Sequence, residues 1–117
     1  MILEHIQKPN DIYRIPASRH RELAAEIRKT ILRTVSTNGG HLASNLGAVE
    51  LTMALHLSLH FPEDKLIFDV GHQCYTHKLL TGRAGEFSSL RKEGGLSGFP
   101  NRRESAFDPF TTGHSSN

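Results

Sequence analysis

Apolar side chains recur at four-residue steps along one early segment of the chain. Between Arg19 and Ser36 the residues on these steps are Leu23, Ile27, Ile31 and Val35. A four-residue step places side chains on one face of an α-helix. The sequence therefore predicts an amphipathic helix, which Pro16 introduces and the run Asn38-Gly39-Gly40 ends. The dozen residues before it predict an irregular lead-in.

Further apolar segments predict a second helix and a strand. From Asn45 to His60 apolar residues occupy more than one helical face, which indicates a helix buried on several sides. The run from Lys65 to Val70 has the length and composition of a buried strand in a parallel sheet. A short helix is predicted from Gln73 to Thr81, and loops after Arg91. This order predicts an incomplete α/β fold, helix-rich, with one short parallel-sheet strand near residues 65–70.

The overall composition is typical of a folded globular domain and is compatible with a phosphorylated small ligand. Hydrophobic residues make up 37% of the 117 residues and charged residues 22%, which excludes a disordered chain. A net charge of +2, with Lys and Arg scattered, argues against a nucleic-acid partner. The longest apolar stretch is too short to span a membrane. With Cys74 as the single cysteine, we expect a cytoplasmic protein.

Three short segments place a histidine beside glycine and small hydroxyl residues. They are Gly40-His41 to Ser44, Gly71-His72 after the predicted strand, and Gly113-His114-Ser115. Glycine lets the backbone approach a ligand, and histidine adds a donor that titrates near neutral pH. Ligands of open α/β sheets bind beyond the carboxyl ends of strands, where His72 is expected to lie. The other interpretation is that these histidines are turn or core residues with local hydrogen bonds.

Weaker candidates lie elsewhere in the chain. His56 and His60 have the spacing of two metal ligands on a helix, but no Glu follows His56, so a packing or surface role is favoured. Cys74 is interpreted as a small apolar filler rather than a nucleophile. The glycine-rich run from Gly94 to Gly98 fits either a phosphate-contacting turn or a flexible loop.

Several short motifs along the chain together resemble one protein family. They are Gly39-Gly-His-Leu-Ala-Ser-Asn-Leu-Gly47, Val49-Glu-Leu-Thr52, Phe68-Asp-Val-Gly-His-Gln73, His77-Lys78, Leu80-Thr-Gly-Arg83, Leu90-Arg91, Gly94-Gly-Leu-Ser-Gly-Phe-Pro100, Glu104-Ser105 and Gly113-His-Ser-Ser116. In order and spacing this series resembles the 1-deoxy-D-xylulose-5-phosphate synthase family. The resemblance covers the chain from about Lys8 onward.

The resemblance implies a thiamine diphosphate enzyme that also uses Mg²⁺. Such enzymes decarboxylate pyruvate and join the remaining carbons to D-glyceraldehyde 3-phosphate, which gives 1-deoxy-D-xylulose 5-phosphate for isoprenoid, thiamine and pyridoxal biosynthesis. His72 matches a cofactor-contacting histidine, and Gly113, His114 and Ser115 match a cofactor-binding turn. His41 matches a histidine near the reacting centre, which assists either proton transfer or binding of the substrate phosphate.

The resemblance also implies that residues 1–117 form part of the diphosphate-binding domain of a transketolase-like homodimer. The family's Mg²⁺ ligands and its pyrimidine-binding domain have no counterpart in this sequence, so we expect the chain alone to be inactive. Two alternatives remain open at this point. The chain could be one subunit of a split enzyme, or a non-catalytic interaction protein derived from the family.

Overall fold

The computed structural model of the chain describes residues 1–69 and 71–111. Four α-helices occur there: α1 (His20–Asn38), α2 (Ala43–Gly47), α3 (Val49–Ser58) and α4 (Tyr75–Lys78). A π-helical turn (Leu79–Arg83) and a 3₁₀ helix (Ala84–Ser89) continue directly from α4. Shorter 3₁₀ turns precede α1 at Leu3–His5, Asp11–Arg14 and Ala17–Arg19. The helix-rich character that the sequence predicts is confirmed.

Helix α1 is the amphipathic helix that the four-residue period predicts. Leu23, Ile27 and Ile31 are each 0% exposed and form the centre of the core, with Val35 partly buried beside them. The helix ends at Asn38, where Gly39 takes a positive φ of 81° that favours glycine. The predicted face and the predicted end of this helix are both confirmed.

The predicted helix from Asn45 to His60 is interrupted at Ala48, which separates α2 from α3. Helix α3 packs on α1, and its Val49 and Met53 are buried in the core. Its opposite side is open to solvent, and Leu51 is 63% exposed. The prediction of burial on several sides was therefore wrong for the Leu51 side.

The strand predicted near residues 65–70 is not seen in the described part of the chain. Residues 65–69 have no regular secondary structure, Ile67 is 58% exposed, and Val70 lies outside the described residues. A strand exists only when its backbone bonds to a neighbouring strand, and no other described segment is extended and paired. An apolar run supplies the side chains for a strand, but it cannot supply the partner.

The segment before α1 is more ordered than an irregular lead-in. Ile2, Leu3, Ile6 and Ile12 are buried against α1 as part of the core. A Cβ on Gly82, which has a φ of 97°, would lie 2.1 Å from the Gln7 carbonyl oxygen. The segment therefore packs directly onto the backbone of the π-helical turn, and this contact requires glycine.

No helix within residues 1–69 and 71–111 is both long and apolar enough to cross a membrane.

Candidate functional site

His41 and His72 lie side by side, although 30 residues separate their segments. Their ring centroids are 4.9 Å apart with an angle of 52° between the planes, and both residues are half-buried. His41 follows the turn at the end of α1, whereas His72 lies in the turn that leads to α4. Two of the three Gly-His segments therefore meet. Gly113, His114 and Ser115 lie outside the described residues.

Asn45 holds the two histidine segments together. Its side chain is fully buried, and its Nδ2 donates to the carbonyl oxygens of His41, at 2.7 Å, and of His72, at 2.8 Å. Its Oδ1 accepts from the backbone N–H of Tyr75 at 3.0 Å. The Asn45 amide therefore donates two hydrogen bonds and accepts one, and its three partners are the backbones of three different residues. The sequence predicted no role for Asn45, because nothing in a linear motif shows where its bonds go.

Tyr75 lies beneath the Gly40-His41 turn. The backbone N–H of His41 donates to the Tyr75 hydroxyl at 3.2 Å. Burial raises the pKa of this hydroxyl, so it stays protonated at neutral pH. Gly40 has a φ of 134°, and a Cβ there would lie only 2.7 Å from Tyr75 Oη. The close approach of this turn to Tyr75 therefore depends on glycine at position 40.

The glycine-rich loop from Gly94 to Pro100 lies on the other side of His41. The Phe99 ring is 6.2 Å from the His41 ring, in an edge-on arrangement. The exposed Arg91 side chain runs along the glycines of both segments, within 4 Å of where a Cβ on Gly39 or Gly98 would stand. The loop therefore forms a third side of the space around the two imidazoles. Whether it contacts a phosphate stays a prediction.

The His56–His60 pair lacks the geometry of a metal site. His56 is 0% exposed, and its Nε2 lies 2.9 Å from His77 Nδ1. His60 is exposed and stacks on Tyr13. Within the described residues no group of three or more His, Cys, Asp or Glu side chains could hold a metal ion.

Cys74 is a core residue rather than a nucleophile. The side chain is 0% exposed, and burial raises the pKa of the thiol to about 12. A thiol that stays protonated at neutral pH is a poor nucleophile. The interpretation of Cys74 as an apolar filler is confirmed.

A buried network of charged groups and histidines lies below the glycine-rich loop. Its members are His56, His77, Lys78, Arg83, Glu104 and Asp108. Arg83 donates to both carboxylate oxygens of Asp108, at 2.7 and 2.8 Å. Burial by itself would raise the pKa of Asp108, but the bonds and charge of Arg83 hold it below its usual range. Sequence reasoning missed this network, because its acids and bases are 21 to 31 residues apart along the chain.

The network also contains two histidines, His56 and His77. An ionised Asp108 only accepts hydrogen bonds, so His77 Nε2, at 3.2 Å, is the donor. His56 Nε2 lies 2.9 Å from His77 Nδ1, so the two imidazoles are in direct contact. Burial lowers the pKa of His56 to about 3, and the nearby His77 adds to this effect. His56 is therefore neutral near pH 7.

Comparison with known proteins gives a consistent result. The family model described as 1-deoxy-D-xylulose-5-phosphate synthase matches residues 3–117. The 1-deoxy-D-xylulose-5-phosphate synthase of Lachnoclostridium phytofermentans is 64% identical over 115 residues, which are 98% of this chain and 18% of that protein. The synthases of Treponema pallidum (strain Nichols) and Heliobacterium modesticaldum are each 57% identical, with the same coverage. The chain thus spans less than a fifth of the length of these curated relatives.

Proposed function

This chain belongs to the 1-deoxy-D-xylulose-5-phosphate synthase family and corresponds to its N-terminal part, and we propose that it supplies the His41–His72 part of a thiamine diphosphate site. In the proposed reaction pyruvate loses CO₂, and its two remaining carbons join D-glyceraldehyde 3-phosphate. Thiamine diphosphate, when bound, supplies the electron sink for the decarboxylation. The two alternatives, a split-enzyme subunit and an interaction protein, have no specific observation in their favour.

The chemistry of the residues around His41 fits such a cofactor. Two half-buried imidazoles stand 4.9 Å apart, and imidazole can donate to phosphate oxygens or exchange protons near neutral pH. Gly39 and Gly40 let this turn lie directly against Arg91 and Tyr75, where a side chain would collide with them. Arg91 brings a permanent positive charge to the same place. These groups suit an anionic ligand with an aromatic ring.

His72 and His41 have different roles in this proposal. His72, with Gly113, His114 and Ser115, binds the cofactor. His41 acts on the substrate, either by moving a proton or by binding the substrate phosphate. Both roles require an imidazole in a fixed position, since proton transfer works only within hydrogen-bond reach. The observation that carries the proposal is the bonding of Asn45 to the backbone of both histidines. Phe99 and Tyr75 both lie beside His41.

A chimeric enzyme tests the proposal. The matched 115 residues of the 64%-identical Lachnoclostridium relative are replaced by those of this chain, and formation of 1-deoxy-D-xylulose 5-phosphate is measured. We expect an active chimera in which His41→Ala lowers kcat by about 10²- to 10⁴-fold, the usual contribution of a positioned acid or base. We expect His72→Ala mainly to raise the thiamine diphosphate concentration required for half-maximal activity.

The matched controls are His5→Ala and His60→Ala, which remove exposed imidazoles of the same chain. Both are expected to leave kcat and the cofactor requirement unchanged. A chimera that is inactive although folded would contradict the proposed function. An active chimera that tolerates the loss of both His41 and His72 would contradict the proposed site.

A further inference from the structure

The loop beside His41 is held from below by two acidic residues that follow it in the chain. Glu104 Oε2 accepts from the backbone N–H of Ser97 at 2.6 Å. Asp108 Oδ2 accepts from the backbone N–H of Asn101 at 2.9 Å. Phe99 lies between these two anchored amides. Its own N–H donates to the Ser97 hydroxyl at 3.1 Å, so the anchor on Ser97 extends to Phe99.

Both acids are fixed in turn by buried cations of α4 and the π-helical turn. Lys78 Nζ donates to Glu104 Oε1 at 2.6 Å, and Arg83 donates to the same oxygen at 2.9 Å. The exposed fractions of the Lys78 and Asp108 side chains are both 0%, and that of Glu104 is 13%. Charge-assisted bonds between buried partners are short and directional. These bonds therefore tie the loop to the helical part of the fold.

The other side of the Ser97–Asn101 segment contacts the candidate functional site. The Phe99 ring meets the His41 ring edge-on, with centroids 6.2 Å apart. Gly98, next to Phe99, packs against Arg91 and the Tyr75 hydroxyl, which itself accepts from the His41 backbone. A displacement of the Ser97–Asn101 segment therefore changes the surroundings of the His41 imidazole directly.

We propose that Glu104 and Asp108 are positioning residues, which hold the Ser97–Asn101 segment so that Phe99 stays against His41. Neither acid touches the imidazole itself. Their effect passes through two backbone amides and one aromatic ring. The inference rests on the proposed function for its effect on activity, but the positioning itself is a property of the chain alone.

The positioning is measured by nuclear magnetic resonance on the 117-residue chain. The ring current of Phe99 shifts the His41 ring protons, so Phe99→Leu gives the reference spectrum for a lost contact. We expect Glu104→Gln to move the His41 ring signals toward that reference. We also expect exchange of the Ser97 and Phe99 amide protons to be about tenfold faster, as for the loss of one hydrogen bond.

Two further variants separate positioning from stability. Glu104→Asp keeps the negative charge between Lys78 and Arg83 but shortens the side chain by one methylene. It is therefore expected to stay folded while it loosens the Ser97 amide. Glu93→Gln removes an exposed carboxylate of the same region and is expected to leave every signal in place. Unchanged His41 signals and unchanged Ser97 exchange in Glu104→Asp would overturn the inference.

The chimera described above adds a readout of activity. Glu104→Asp and Phe99→Leu should each lower kcat by about 10- to 100-fold. Because both changes act through the same ring, the double variant should lose less than the product of the two single losses. A double loss equal to that product would overturn the inference. An inactive unsubstituted chimera would count against the proposed function alone, since the spectra of the chain still decide the positioning.

Discussion

Arg83 binds Asp108 through two parallel hydrogen bonds, and both side chains are almost completely buried. Removal of one partner leaves an uncompensated charge in the core, which typically costs about 3–5 kcal/mol. We therefore expect Asp108→Ala to lower the free energy of unfolding by about that amount. Urea denaturation of the chain measures it.

A surface ion pair provides the matched control for that measurement. Arg19, which directly precedes α1, and Glu22, in the first turn of α1, form an exposed pair. Exposed pairs contribute about 0–1 kcal/mol, so Glu22→Ala should have little effect. Equal losses for Asp108→Ala and Glu22→Ala would show that the buried network does not stabilise the fold.

His56 predicts a dependence of stability on pH. Its pKa is lowered from its usual value of 6.5 to about 3 in the folded chain, with burial as the main cause. Between these two values the unfolded chain binds a proton that the folded chain does not. As far as His56 is concerned, the free energy of unfolding is therefore at its full value above pH 6.5 and decreases as pH falls toward 3.

The slope of that dependence can be assigned to His56 by substitution. One proton corresponds to about 1.4 kcal/mol per pH unit. We expect His56→Gln to reduce the slope of unfolding free energy between pH 6 and 4 by up to this amount, whatever its effect on stability at pH 7. An unchanged slope in His56→Gln would mean that His56 binds protons equally in the folded and unfolded chain, against the lowered pKa.

Asn45 offers a test of how the two histidine segments are joined. Asn45→Asp keeps an acceptor for the Tyr75 amide but replaces the donor to the His41 and His72 carbonyls with an acceptor. Buried unpaired acceptors cost about 1–3 kcal/mol each, so we expect a clear loss of stability. We also expect weaker nuclear Overhauser effects between the two imidazoles.

Asn10 is the control for this substitution, because its amide bonds to the Phe61 backbone far from the imidazoles. Asn10 has a φ of 75°, so Asn10→Gly removes the amide without backbone strain. This variant should lose some stability and keep the contact between the imidazoles. If Asn45→Asp also keeps that contact, Asn45 does not determine it.

The sequence predicted the parts of the fold that depend on local order. The face of α1 followed from the period of Leu23, Ile27 and Ile31, since a helix satisfies its own backbone. The strand near residues 65–70 could not be settled in this way, because a strand depends on a partner elsewhere. His41 and His72 were found as separate motifs. Asn45 bridges the two segments in the fold, through bonds that reach across 27 and 30 residues.

Gly40 allows the most specific test of the site's architecture. A Cβ there would lie 2.7 Å from Tyr75 Oη, and the φ of 134° disfavours any other residue. We expect Gly40→Ala to lower the free energy of unfolding by about 1–3 kcal/mol from strain, with a further loss from the clash. Tyr75→Phe removes the clashing oxygen but not the strain. The double variant should therefore be more stable than the sum of the two single losses predicts.

Gly47 in α2 is the control, since a Cβ there meets nothing within 4 Å, and Gly47→Ala should be neutral or slightly stabilising. Strictly additive losses for Gly40→Ala and Tyr75→Phe would show that the turn does not press on the hydroxyl.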